Sequence, residues 1–545
     1  MVRALKVKLP RGNSAITYSS RYSPFAHHVL LEGPLPELSA GRTELKVRNP
    51  ATGALLSTVV TASEDDVYRT VRDAQDVFKL GSWSKLPALE RSATVTILAR
   101  DLEEVIPDMA RMESEQTGRT IREMMAQLSR IPEWLDYYAA LLRTSSAFVA
   151  PTQGPLLNYV KRVPLGVVGQ ITPFNHPLLI AIKKIAPALA TGNSVIVKPS
   201  EHAPLSVLQF AELAVQAGLP VGVLSVLPGG PETAKHLASN PLVRKVDITA
   251  GTKAGRHLGG IVGSNLSAFT AELGGKTPIV VFDDADPEAA ANGAAFACFI
   301  ASGQTCVSGS RLIVQKGIYD KFMSLFVAKV ESIRRRMGNP LNPRSTMGSV
   351  INQRHLKRIE HMIHLERERP GKILTGGERM TGKSELDGFD FSKGSFFPPT
   401  VIEDVPVEDI LWREEVFGPV VVVKQFQSEA EGVALANDCR YGLGAGIWTE
   451  NLSRAHRVAD AIESGLVWVN THHRNDPSSP WGGMKDSGIG RENGMEAFEA
   501  YSQSKSTIVN IATPEETRTV QDWFAEEEEE TETVGGQPAE PKRYG

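Results

Sequence analysis

Between residues 193 and 255 short apolar runs alternate with helical patterns, and that alternation restricts the fold more than any other feature. Ser194-Val-Ile-Val-Lys198 reads as a strand, Leu205, Leu208 and Leu213 as one face of a helix closed by Gly218 and Pro220, and Val223–Leu227 as a second strand. A helix over 232–239 and a third strand, Lys245–Thr249, complete the series. Strands spaced by helices cannot be joined by hairpins, so they predict a parallel, doubly wound α/β sheet. A second set of strand candidates, Ile279–Phe282, Arg311–Val314, Val420–Val423 and Leu466–Val469, also alternates with helical stretches and predicts a second α/β domain. Nearer the start, Ser63 with Asp66 forms a capping box, and Val67, Val71, Ala74 and Phe78 recur at helical spacing, so a helix begins near 64.

Composition narrows the class. The chain has 545 residues, 41% apolar and 22% charged, with 59 Lys+Arg against 63 Asp+Glu. That balance leaves no basic footprint for a nucleic acid, and no apolar run reaches the ~20 residues needed to span a bilayer. Neither nucleic acid nor membrane is expected as a partner. Three cysteines cannot form a disulfide framework for a chain this long, which suits a reducing, cytoplasmic setting. Residues 1–27 are expected to be a disordered arm; five basic residues and no acid before Glu32 also read as an organelle transit peptide, which would place the protein in mitochondria. The Glu526–Glu530 run predicts a disordered acidic tail over 512–545.

Several short strings carry chemistry. Cys306 sits among small and polar residues, Ser302-Gly-Gln-Thr-Cys306-Val-Ser, whereas Cys298 lies between Ala297 and Phe299. Cys306 is therefore the candidate nucleophile and Cys298 a packed thiol. Glu272, before Gly274, has the chemistry of a general base, and Asn175, in a proline-bracketed turn, that of an oxyanion donor; both also read as ordinary turn residues. No G-x-G-x-x-G string follows a strand in this region. Gly251-Thr252-Lys-Ala-Gly255 opens a helix and suits a pyrophosphate, or serves as a plain helix entry. Lys198-Pro-Ser200-Glu201 ends a strand, where α/β sheets bind ligands, or is an ordinary exposed strand end. His472-His473 and His361-x-x-His364 lack further ligands, so no metal is expected.

Taken in order, Pro173-Phe174-Asn175-His176-Pro177, Lys198-Pro-Ser-Glu201, Glu272-Leu-Gly-Gly-Lys276, Gly303-Gln-Thr-Cys306, Glu415-Val-Phe417-Gly-Pro419, Pro480-Trp-Gly-Gly483 and Ser487-Gly-Ile-Gly-Arg491 resemble the signature set of the NAD(P)-dependent aldehyde dehydrogenase superfamily, over about residues 28–511. The resemblance implies a Rossmann-like cofactor domain over 28–142 and 163–276. It also implies an α/β catalytic domain over 277–490 and a small β bridging element over 143–162 and 491–511 that builds a homodimer or homotetramer. It further implies oxidation of a small-molecule aldehyde to a carboxylic acid through a thiohemiacetal and thioester on Cys306, with Asn175 on the oxyanion and Glu272 activating water. Thr172, Pro173, Phe174, Lys198, Ser200, Glu201, Gly251, Thr252, Gly274, Glu415 and Phe417 would hold NAD, with NADP as the alternative cofactor. This chain departs from the family pattern at Ala250-Gly251, where Gly-Ser is usual, and at Lys183, a helix position often occupied by tryptophan. Lys183, His176, His472 and Arg474 are expected on the substrate side, favouring a polar or carboxylate-bearing aldehyde; the alternative for Lys183 and Arg474 is that they pair with acids or point to solvent. The alternatives are a CoA-acylating semialdehyde dehydrogenase, against which Glu272 speaks, and a non-catalytic binding protein on the same fold.

Overall fold

The computed structural model describes residues 41–367, 371–521 and 524. Two compact units emerge, a larger one containing the chain up to Thr144 and Pro164–Ser502, and a smaller one containing Ser145–Val163 and the chain from Gln503 onward. The N-terminal arm and the Glu526–Glu530 run lie outside the described residues.

The larger unit contains two sheets. In the first, the parallel strands Leu224–Val226, Ser194–Lys198, Val167–Ile171, Val243–Thr249 and Ala268–Glu272 lie side by side, and Gly488–Ile489 pairs antiparallel on the far edge. Numbered along the chain, the five parallel strands stand in the order 3-2-1-4-5. The chain direction therefore switches between Val167–Ile171 and Val243–Thr249, where such sheets bind ligands beyond the strand ends. Val167–Ile171 is the central strand and the sequence reading missed it. Gly169 and Gln170 interrupt its apolar run, and a Cβ at 169 would stand 3.2 Å from Leu237 of the covering helix Pro231–Ser239. Close packing, not strand propensity, fixes that glycine.

The second sheet has seven strands, ordered Lys372–Thr375, Thr400–Glu403, Val420–Phe426, Arg311–Gln315, Pro278–Val281, Gly444–Trp448 and Leu466–Val469. All its pairs are parallel except the edge pair of Lys372–Thr375 with Thr400–Glu403. The helix Glu64–Leu80 starts at the Ser63–Asp66 capping box and stops at Gly81, whose φ of 87° only glycine adopts without strain. The helix Pro177–Ala190 is buried on every face, two lysines included. A helix enclosed all round must satisfy any charge it carries internally.

Two boundaries depart from the sequence reading. The return segment assigned to the bridging element from 491 stays in the larger unit as far as Ser502, because Ala497, Phe498 and Tyr501 of the stretch around helix Gly494–Ala500 are core residues there. The tail expected to be disordered from 512 instead forms a helix over Pro514–Gln521. Thr513 and Glu516 cap it reciprocally, the Glu516 N–H donating to Thr513 Oγ1 and the Thr513 N–H to Glu516 Oε2. In the smaller unit Phe148–Ala150, Leu156–Pro164 and Ser502–Asn510 form a three-stranded sheet. It leaves Phe148, Val149, Ile508 and Val509 exposed.

Candidate active site

The loops that leave Ile171, Lys198 and Thr249 open onto a cavity of ≈ 430 Å³. Its walls include Thr172, Pro173, Phe174, Lys198, Ser200, Glu201, Gly251, Gly274, Glu415 and Phe417, together with Asn175, His176 and Cys306. The thiol of Cys306 and, from a segment more than a hundred residues earlier, the adjacent amide and imidazole of Asn175 and His176 thus share one chamber with the switch point of the first sheet. Thr252 is the exception among the expected cofactor residues: it begins the helix Thr252–Ser264, and its hydroxyl donates to the Asp486 carbonyl at 3.3 Å.

The chamber suits a dinucleotide. Gly251 gives that helix no side-chain cap, so its first N–H groups are free to meet a phosphate, and no atom lies within 4 Å of where a Cβ at 251 would stand. Lys198 pairs with Glu201 at 3.4 Å, and although burial pushes the Glu201 carboxyl up, Lys198 holds it below its ordinary range. An ionised carboxylate at a strand end accepts from ribose hydroxyls. Phe417 has φ +55° and meets Phe174 edge-on at 5.7 Å, making an aromatic wall. Glu415 accepts from the Gly275 N–H at 3.1 Å, and burial pushes its carboxyl up to about 7.

Cys306 follows three consecutive left-handed residues, Ala301, Ser302 and Gly303, with φ of 54°, 56° and 68°. Two of them are not glycine, a strained arrangement of the kind that persists where it positions function. A Cβ on Gly303 would stand 2.2 Å from the Gly418 carbonyl oxygen, so only glycine fits there. Asn175 Nδ2 donates to the Gln304 carbonyl at 2.8 Å, which fixes the amide two residues from the thiol. Burial, then the charges of Glu272 and Glu415, push the Cys306 thiol up to about 12, while Lys183 pulls the other way. Cys298 is packed and donates to the Gly309 carbonyl, a structural thiol.

Glu272 is 3% exposed, and neither carboxylate oxygen has a hydrogen-bond partner among the described residues. Burial, reinforced by Glu492, raises its carboxyl well above the ordinary value. Beside it lies an ionic cluster whose acids the sequence reading did not identify. Lys183 Nζ stands 2.7 Å from Glu492 Oε2, and Lys184 bonds both Glu492 and Asp247. Lys183 also lies 4.6 Å over the Trp481 ring. The signal was present: two adjacent lysines inside an apolar helical run had to find buried acids.

That cluster corrects the substrate-side expectations. Lys183 is not an unpaired ammonium offered to a substrate, because Glu492 neutralises it. His472 turns its Nε2 to the Val307 carbonyl at 2.8 Å and packs on Trp468, buried away from the chamber wall. Arg474 is exposed, and its backbone carbonyl, not its guanidinium, is engaged, accepting from Trp468 Nε1. His176 alone of the four lines the chamber, braced by Arg119 and Gln127, which sequence reasoning had not singled out.

A Rossmann-type sheet whose switch point shares a chamber with a cysteine, an amide donor and a nearby buried carboxyl defines a nucleotide-dependent dehydrogenase. The chain matches the aldehyde dehydrogenase family over residues 38–507 and belongs to that family. It is 40% identical to PnpE, crystallised with nicotinamide adenine dinucleotide, over 86% of this chain and 95% of that one, with a TM-score of 0.83; PnpE comes from Pseudomonas sp. WBC-3. It is 36% identical to betaine aldehyde dehydrogenase of Staphylococcus aureus, covering 86% and 93% of the two chains with a TM-score of 0.83. For indole-3-acetaldehyde dehydrogenase of P. syringae, solved with NAD+, the figures are 35%, 86%, 93% and 0.82. The protein is an aldehyde dehydrogenase. Among the described residues no helix is long and apolar enough to cross a membrane.

Proposed function

We propose that the enzyme converts an aldehyde to a carboxylic acid by a covalent route on Cys306, with hydrolysis as the releasing step. The observation that carries this reading is the shared chamber of Cys306, Asn175 and the nucleotide-binding strand ends, with Glu272 close enough for its charge to act on the thiol. The Cys306 thiol gives up its proton to solvent and the thiolate adds to the aldehyde carbon, and the resulting oxyanion accepts from Asn175 Nδ2 and the Cys306 N–H. Bound NAD supplies the two-electron acceptor that turns this adduct into a thioester. Glu272 then takes a proton from water, whose oxygen attacks the thioester carbon, and the C–S bond breaks to free the acid and return the thiol. A carboxyl raised by burial is suited to the role, since its conjugate base accepts a proton more readily than an ordinary carboxylate. Lys198, Ser200 and Glu201 hold the adenosine end of the cofactor, Gly251 its phosphates, and Glu415 with Phe417 its nicotinamide end.

Relatives support the cysteine assignment: one S. aureus structure carries a BME-modified cysteine, and the P. syringae structure was solved with a cysteine replaced by alanine. The smaller unit serves homo-oligomerisation, a reading supported by the exposed apolar Phe148, Val149, Ile508 and Val509 of its sheet. The test of the chemistry is kinetic. Cys306→Ala abolishes NADH formation, whereas Glu272→Gln gives a stopped-flow burst of about one equivalent and then stalls with an acylated Cys306 detectable by intact mass. Wild-type turnover by the glutamine variant, or release that depends on added CoA, overturns the hydrolytic route.

A further inference from the structure

His176 follows the oxyanion donor, is 3% exposed and lines the chamber that holds Cys306. Its ring is held from one side. Arg119 Nη1 stands 2.7 Å from His176 Nδ1 and 3.3 Å from the Asn175 carbonyl, while the same nitrogen also donates to Gln127 Oε1 at 2.9 Å. Arg119 is itself anchored by Glu123 at 3.1 Å. Gln127 offers Nδ1 both its Nε2 at 2.9 Å and its Oε1 at 3.1 Å, but a guanidinium only donates and stands nearer, so Nδ1 presents its lone pair. In a neutral imidazole the proton then resides on Nε2, and that N–H has no acceptor among the described residues although it is shut off from bulk water. Burial, with Arg119, His473 and Lys183 around the ring, keeps the imidazole neutral by lowering its basicity well below the ordinary value.

An oriented N–H donor, locked in one tautomer and left without a protein acceptor in the wall of a reaction chamber, is a specificity element. Resting on the aldehyde-oxidation reading, we propose that His176 Nε2–H donates to an oxygen of the substrate other than its aldehyde oxygen, so that the preferred substrates are aldehydes bearing a carboxylate, hydroxyl or carbonyl group. Lys183 has no part in this, being paired with Glu492. The selectivity follows from the cost of leaving the donor unmet: a plain alkyl aldehyde occupies the same space and gives the buried N–H nothing.

The experiment compares hexanal, adipic semialdehyde and the ω-hydroxy counterpart of the same chain length on wild type, His176→Phe and His176→Gln. Phenylalanine keeps a ring and loses the donor; glutamine restores a donor. Tryptophan-fluorescence quenching by NAD reports that each variant retains its fold. The expected result is a kcat/KM ratio, oxygenated aldehyde over hexanal, that falls ~10–100-fold in His176→Phe for at least one oxygenated aldehyde and is partly restored in His176→Gln. The arm that responds identifies the acceptor as carboxylate or neutral oxygen. Equal changes on all three aldehydes in a variant that binds NAD normally overturn the role of His176 while leaving aldehyde oxidation standing. Absence of NADH formation from all three by the wild type overturns the aldehyde reading itself, and this inference with it.

Discussion

Lys183 and Glu492 come from segments more than three hundred residues apart, yet their charged ends meet at 2.7 Å with both side chains shut off from solvent. Lys184 shares the same carboxylate. Burial alone would raise the Glu492 carboxyl, but the two ammonium groups outweigh it and bring it down to about 2. Glu492 is thus a permanent anion at working pH, and Glu272, raised by burial and by that anion, is the carboxyl in the group that changes protonation.

A pH prediction follows from the sign of each charge. Hydrolysis needs Glu272 ionised, so turnover rises as pH climbs through its pKa. Lys183 lowers that pKa. In Lys183→Met the acidic limb of the kcat profile therefore moves to higher pH, by about one unit, with turnover on the limb falling ~10-fold and the alkaline plateau retained. Because Lys184 still pairs with Glu492, the cost in stability stays near ~1–3 kcal/mol, below the loss of an entire buried pair. A steady-state pH profile with a denaturant titration checks both, and an unmoved limb refutes the coupling.

The strands at 194–198 and 243–249, the helix from 64 and the candidate nucleophile were legible in the sequence because each rests on local pattern: β-branched runs, a capping box, a cysteine among polar neighbours. Val167–Ile171 was hidden because its glycine answers to Leu237 across the layer. Glu492, Asp247 and Arg119 were hidden for the same kind of reason. A charged residue with no periodic context reads as surface until the fold shows what faces it. Lys183 was seen, and pairing with an acid was one of its two readings, but its partner lies in a segment the sequence reading had assigned to another element, so the acid could not be named.

Thiol reactivity offers a second prediction. With the Cys306 thiol pushed up to about 12, alkylation of the cofactor-free enzyme by iodoacetamide is slow at neutral pH and climbs steadily with pH. The oxidised nicotinamide ring is cationic and, bound in the chamber, would lower the thiol pKa, so NAD is expected to accelerate alkylation by about tenfold or more, whereas NADH, with a neutral ring, is not. Peptide mass spectrometry of Cys306 over time separates the two. Equal acceleration by both cofactors would point to a conformational cause instead.

Cofactor choice is expected to turn on Glu201. An ionised carboxylate beside the adenosine ribose accepts from its hydroxyls and repels a 2′-phosphate, while Lys198 at 3.4 Å from the carboxylate partly offsets the repulsion. The expected preference in kcat/KM is about 10- to 100-fold for NAD over NADP, roughly 1.4 to 3 kcal/mol. Glu201→Gln removes the repulsion and narrows the ratio toward unity by improving NADP more than it weakens NAD. An NADP preference in the wild type excludes this role for Glu201.

Gly274 and Gly275 are adjacent, but their substitution has different consequences. A Cβ on Gly275 would stand 2.1 Å from the Cys306 carbonyl oxygen, a backbone atom that moves only if the nucleophile moves with it. A Cβ on Gly274 would stand 2.5 Å from Glu415 Oε2, the far end of a side chain that can rotate away. Gly275→Ala therefore displaces the thiol and its N–H from the Asn175 amide, and a misplacement of the order of an ångström costs ~100-fold in kcat. Gly274→Ala leaves the thiol in place and shows its effect mainly as a raised KM for NAD, because Glu415 must abandon the Gly275 N–H it accepts from. Side-by-side kinetics, with thermal unfolding to confirm that both variants fold, test the distinction. If Gly275→Ala retains wild-type kcat, the contact with the Cys306 carbonyl is not what holds the nucleophile in register.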